Sequence, residues 1–248
     1  MSADMFEPTI PFGEPELMRA STYQRYLEEL DADAVPGGVS SRIASLSPSL
    51  MADLLRFENE DGGSEVLEVM AACVRHAKRV TIQLQSGDRV VPLTVFPQER
   101  LVHCPLPLDE LLGKELAELR VMHVEHAVRR PPGDPEGELV GEDDHHHALT
   151  PLLWELGMRG LRRSLLPEIA GPAVYRVAPA LDLAALPISG ALQAAVLRLT
   201  RQAASLRDLA EWPGLDRDRA IRLLNALYLQ AGLIVSRSHP DAVRDKWF

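Results

Sequence analysis

The hydrophobic and polar positions change period several times along the chain, and each change marks an element. Between Pro15 and Asp31, the residues Tyr23, Tyr26, Leu27 and Leu30 recur at spacings of three, four and seven, the stripe of a helix. Pro36, Gly37 and Gly38 break it. Ser47-Pro48 predicts a second helix, with serine as cap and proline where its missing N–H is not needed. Leu50, Met51, Leu54 and Leu55 form its inward face. After Asp61-Gly62-Gly63, Ser64 is expected to cap a third helix lined by Val66, Met70, Cys73, Val74 and Ala77.

The period then falls to two. Val80, Ile82 and Leu84 alternate with Thr81, Gln83 and Gln85; Ser86-Gly87-Asp88 turns the chain; Val91, Leu93 and Val95 alternate on the return. This predicts a β-hairpin whose second strand, carrying Pro92, lies at an edge or bulges. Leu101 to Cys104 reads as a third short strand, DELLGKEL as a short helix, and Met122, Val124 and Val128 as a further strand. Helices followed by a small antiparallel sheet predict an α+β fold.

Beyond the sheet, Arg130 to His147 is rich in proline, glycine and acid, with no hydrophobic period, and reads as a linker or exposed loop. Thr150-Pro151 then repeats the cap-plus-proline start, with Leu153, Trp154 and Leu161 as core, and a short strand is expected near Tyr175 and Val177. A helix bearing Leu192, Ala195, Val196 and Leu199 on one face follows. Ser205-Leu206-Arg207-Asp208 has the form of a capping box opening a short helix, which Trp212-Pro213-Gly214 stops. Asp216 caps a longer helix with Ala220, Ile221, Leu224, Leu227 and Tyr228 inward, and Gly232 closes it. LIVSR reads as a strand, and AVRDKWF as its return. Three parts are expected: an α+β domain over 1–130, a linker over 131–149, and a helical region over 150–248 ending in a winged helix over about 181–248.

The charge of the chain, −10 overall, is divided unevenly. Residues 1–130 carry net −8, residues 131–150 carry six acids and no base, and residues 151–248 carry net +4. A basic patch meets phosphate or the acidic surface of another protein. Twenty-three of the 26 basic residues are arginine, which fits a GC-rich genome as well as it fits nucleic-acid binding. Two cysteines make no disulfide framework, and the acidic, proline-bearing start is unlike a signal peptide, so a cytoplasmic location is expected.

Residues 181–238 resemble bacterial winged-helix modules, through a leucine-rich first helix, SLRDLAEWPGLDRDRA and LLNALYLQAGLIV. The same tail shape closes proteins that begin with a PATAN-type signalling domain. The segments SPSLMADLLRF, VTIQLQSG and FPQERLVHC are similar to that domain, with Glu99 where the family usually has a glycine. The resemblance implies a bacterial signalling protein and supplies no catalytic residue.

On the 216–232 helix, Arg217, Arg219, Arg222 and Asn225 have the spacing and residue types that read base edges in a major groove. Asp216 and Asp218 stand at the same end and repel phosphate. Leu223 and Leu229 leave the helix apolar almost all round, which suits a protein contact better. Leu223 and Leu229, with Arg222 at the rim, are therefore the expected partner-binding set, and Arg217, Arg219, Arg222 and Asn225 the DNA-binding alternative. The tract Asp143 to His147 is dense in potential ligands, but adjacent loop side chains do not all converge, so no metal or other cofactor is assigned. His123 and Glu125 share one strand face and His126 the other, the pattern of a solvated sheet. Cys73 and Cys104 read as small core residues. Nucleotide-binding, hydrolase and zinc-protease motifs are absent from the sequence. The expected function is a non-catalytic bacterial adaptor or regulator working through protein–protein contacts, as a homodimer or with another protein. The alternatives are a winged-helix transcription regulator and an enzyme whose site the sequence does not display.

Overall fold

A computed structural model describes residues 17–32, 49–50, 52, 65–113, 116, 119–135 and 145–237. Its helices are α1 (Ala20–Ala32), α2 (Glu65–His76), α3 (Leu108–Gly113), α4 (Leu149–Arg159), α5 (Gly190–Arg201), α6 (Leu206–Ala210) and α7 (Arg217–Leu229). Its strands are β1 (Val80–Ser86), β2 (Arg89–Phe96), β3 (Leu101–His103), β4 (Arg120–His126), β5 (His146–Ala148), β6 (Val174–Val177), β7 (Ala204–Ser205) and β8 (Leu233–Ser236). They form two antiparallel sheets, ordered β4-β1-β2-β3-β5 and β7-β6-β8, so the fold is α+β. The expected caps Ser47 and Ser64 lie outside the described residues.

The hairpin follows the alternation. Val80, Ile82 and Leu84 face Val95, Leu93 and Val91 across the pair, and all six are buried. Strand β2 is not an edge, because β3 pairs with its far half at Thr94, Val95 and Phe96. Pro92 is tolerated for a local reason. The Val90 N–H points away from β1, to Met18 O at 2.9 Å, so the nitrogen of Pro92 points the same way, where β3 does not reach. Strand β4 bulges between its pairings with Gln83 and Leu84, leaving Met122 unpaired. Met122 packs on a small cluster of Ala20, Tyr23, Leu27 and Val90, which docks α1 on the sheet. Tyr26, expected in that stripe, is half exposed, and Val128 lies beyond β4 in solvent.

The stretch 131–149 is not simply a tether. Its end, His146–Ala148, is the edge strand β5 of the first sheet. Beyond it one hydrophobic core runs from Leu67 and Met70 of α2, through Leu152 and Leu153 of α4, to Leu223 and Leu224 of α7. Polar ties cross the same boundary. Arg162 and Glu68 form a buried ion pair, and Arg75 pairs with Glu168. Arg100 donates to Gln230 Oε1 at 2.6 Å and to the Thr150 hydroxyl at 3.2 Å. Thr150 is thus occupied by Arg100 and is not the cap of α4, which begins one residue earlier behind Ala148. Leu161, expected in the core, is exposed.

Helix α4 and helix α7 make the most extensive helix–helix contact of the described residues. They cross where Gly157 meets Ala226: a Cβ built on Gly157 would stand 2.7 Å from both Cα and Cβ of Ala226. Only a bare backbone permits that approach.

In the C-terminal part the order helix, short helix, longer helix, strand is present, and Ser205 and Asp208 complete the capping box. Asp216 accepts from the Arg219 N–H, as its position implied. A pairing that the sequence reading lacks completes the second sheet. β8 pairs with β6, which comes from upstream of α5 and sits between β7 and β8. The AVRDKWF segment lies outside the described residues. The end of α7 also differs. Ala231 takes the left-handed position at φ +54°, with its N–H on Tyr228 O and the Gly232 N–H on Leu227 O, a Schellman arrangement. A Cβ on Gly232 would meet Leu181 Cδ2 at 2.6 Å, so a side chain there would displace the end of that leucine.

Two opposite glycine substitutions test this packing by denaturant unfolding. Gly157→Ala raises helix propensity, yet is expected to lower stability by about 1–3 kcal/mol through collision with the Ala226 backbone. Ala231→Gly is expected to raise it by about 0.5–1 kcal/mol by relieving the left-handed alanine. No loss of stability in Gly157→Ala would contradict the crossing, and no gain in Ala231→Gly would contradict the left-handed end of α7.

Candidate functional site

The residues singled out on α7 point mostly inward. Leu223 is 0% and Leu229 1% exposed, both inside the chain's own core. The expectation that they meet a partner is therefore corrected: α4 and the first part of the chain supply the apolar surface that a partner was expected to bring. Asn225 is buried as well. Its carbonyl oxygen accepts from the Leu166 N–H at 2.9 Å and its amide donates to Ser164 O at 3.0 Å. Arg222 donates to Met158 O at 3.2 Å. Neither Asn225 nor Arg222 is free to read a base edge, so the DNA set reduces to Arg217 and Arg219, which are exposed beside the exposed Asp216 and Asp218. Arg219 also donates to Gly214 O at 2.7 Å.

A row of polar side chains, several of them buried, crosses the first sheet instead. One face of that sheet is apolar and joins the core. On the other, the register lines up Glu125, Thr81, Thr94, His103 and His146, one from each of the five strands in order. The Thr81 and Thr94 hydroxyls are 3.1 Å apart and hydrogen-bonded. Gln83 donates to Glu125 Oε1 at 2.9 Å, and His123 lies 4.0 Å from Glu125, so the shared face read from alternation is present but partly covered. His126 points the other way, also as read.

At the far end of the row His103 is 2% exposed, and neither ring nitrogen has a hydrogen-bond partner. The His146 ring stands 4.9 Å from it, the His145 ring 5.7 Å, and Phe96 lies 6.0 Å from His146. Burial, then the charges of Arg129, His146 and His145, hold the His103 imidazole down at about 4, so it is neutral at neutral pH. His147, opposite Val102 on the other face, is also lowered, by burial first. Among the described residues no group of three or more His, Cys, Asp or Glu side chains is placed to hold a metal ion. Arg79 ties the neighbouring loop to the sheet by pairing with Glu99 and, at 3.5 Å, with Asp134. The two cysteines are buried and unbonded to each other, and burial pushes the Cys73 thiol up to about 12, so it is no nucleophile.

Sequence reasoning placed His145 and His146 on a loop and His103 on a strand, and had no means of joining them. The pairing that unites them spans the whole of β4 and the acidic stretch, and only the register of β3 with β5 shows it.

The His103 environment predicts acid sensitivity. Its folded titration lies below that of the unfolded chain, so its contribution is complete above pH 6.5 and is lost as the pH falls toward 4. The loss is expected to be about 2–3 kcal/mol, read as a falling urea midpoint in metal-free buffer. His103→Leu should flatten that segment of the profile while leaving carboxylate-driven unfolding at lower pH. An unchanged profile would contradict the assignment.

No family model, no curated protein and no solved structure matches the chain.

Proposed function

We propose that the chain is a non-catalytic adaptor or regulatory protein that works through protein contacts, with the outer face of α5, not α7, as its contact surface. The observation that carries this reading is the make-up of that face. Ala195, Val196 and Leu199 hold α5 inward, while Leu197 stands 46% exposed with Ala194 and Arg201 exposed on the adjacent turns. Beside it the Arg198 guanidinium lies 4.2 Å over the Trp212 ring. The pair borders a groove of about 400 Å³ that also takes in Gln202, Asp208 and Glu211. Arginine and tryptophan are types enriched at interface hot spots; here the exposed Arg198 covers a buried Trp212, and Leu197 adds exposed apolar area beside them.

Charge favours a second copy as the partner. The net +4 of residues 151–248 complements the net −8 of residues 1–130 in another molecule. The regulator alternative keeps only Arg217 and Arg219, flanked by two acids, and draws less support. Among the described residues no helix is long and apolar enough to cross a membrane.

Leu197→Glu is expected to weaken self-association by about tenfold or more in a light-scattering dilution series, because a buried leucine contributes about 1.5–3 kcal/mol. Thermal unfolding of the monomer should barely change, since the side chain is half in solvent. Salt-sensitive DNA binding that Arg217→Ala with Arg219→Ala abolishes, and that Leu197→Glu leaves intact, would overturn the adaptor reading in favour of the regulator.

A further inference from the structure

We propose that His103 and His146, with His145 beside them, form a binding site for a first-row divalent transition metal of the zinc, nickel and copper group.

The argument starts from strand geometry. Cys104 N–H donates to His145 O and Leu149 N–H donates to Arg100 O, both at 2.9 Å. Those flanking pairs are hydrogen-bonded, and antiparallel pairs alternate, so the His103–His146 pair between them is non-hydrogen-bonded. Opposed side chains come closest at such a pair. Both rings leave the sheet on the same face, from different strands, so their separation is set by the backbone ladder. Adjacent residues on a loop could not be held in this way.

The separation suits one shared ion. A metal–nitrogen bond is about 2.1 Å, which places two imidazole ring centres on one tetrahedral metal about 5 Å apart. The observed separation is 4.9 Å, with the rings inclined at 69°. His145 stands beside the pair, its ring 5.7 Å from that of His103.

The second observation is independent of spacing. His103 is buried, and both its nitrogens are unsatisfied. An orphaned buried donor or acceptor is costly unless something occupies it. A neutral imidazole offers a metal ion the lone pair of one nitrogen and carries N–H on the other. Imidazole ligands select zinc, nickel and copper over calcium and magnesium. The charge opposing a cation here is Arg129, whose field reaches His103. Asp109, which acts on His147, does not figure among the groups acting on His103. The tract therefore divides: His146 and His145 serve the site, and His147, on the opposite face opposite Val102, does not.

The test is a calorimetric titration of the full chain with zinc chloride and, separately, nickel chloride, each repeated as a shift in melting temperature. The wild type is expected to bind one equivalent and to melt higher when loaded. His146→Ala, at a half-exposed position, and His103→Leu, which keeps the buried volume filled, should each weaken binding by more than about tenfold. His147→Ala should leave it unchanged, and Arg129→Gln should tighten it. Calcium and magnesium should give no signal. Equal affinity in wild type and His103→Leu would mean adventitious binding by the exposed tract and would overturn the site. So would a loss in His147→Ala as large as that in His146→Ala, or no binding by the wild type.

Discussion

The crossing of α4 and α7 at Gly157 and Ala226 is the constraint on which the rest of the molecule depends. With no side chain on one helix and a methyl group on the other, the two backbones come close enough for large residues on either side to interlock. This fixes α7 inside the core. The helix that a winged-helix reading would present to DNA or to a partner is therefore committed to internal packing, and Asn225 becomes a bracket for residues 164–166. The same crossing joins the two ends of the chain, because α2 touches both helices. The Arg162–Glu68 pair and the Arg100–Gln230–Thr150 ties then satisfy the polar groups that this union buries.

The first sheet meets a different problem. Its apolar face is covered by the core, but its other face is crossed by a row of threonine, histidine and acid that is in part withdrawn from water. At one end the row satisfies itself: threonine with threonine, glutamine with glutamate. At the His103 end it does not. Along that row, paired side chains thus give way over two strands to the unpaired ring nitrogens of His103. The open end is the chemically distinctive part of the molecule.

Local rules were largely readable in the sequence. The hairpin, the Ser205–Asp208 box, the Asp216 cap and the inward face of α5 all follow from contacts within a few residues, where period and capping chemistry act directly. The failures share a cause. Leu223 and Leu229 are surplus to the helix's own stripe, and nothing local says that a second helix 64 or more residues upstream covers them. Gly157 looks like a defect in α4 until Ala226 is placed against it. The sequence marks Gly232 as the closing residue of α7, but Ala231 takes the left-handed conformation and Gly232 lies against Leu181. His103 met its neighbours only through strand register. Long-range packing decided each of these, and a period of 3.6 or 2 carries no information about it.

The strand order β7-β6-β8 also bears on how this protein can be divided. The middle strand of the second sheet comes before the helices, not after them, so its flanking strands have no direct ladder to each other. The C-terminal helices and strand are thus not a detachable cassette. A fragment cut at residue 181 would take both outer strands and leave the strand between them behind. Recombination, truncation or fusion at that point would separate elements that are neighbours in space. The smallest portion that keeps the second sheet whole starts upstream of Val174, and retaining the cover on α7 carries the boundary back through α4.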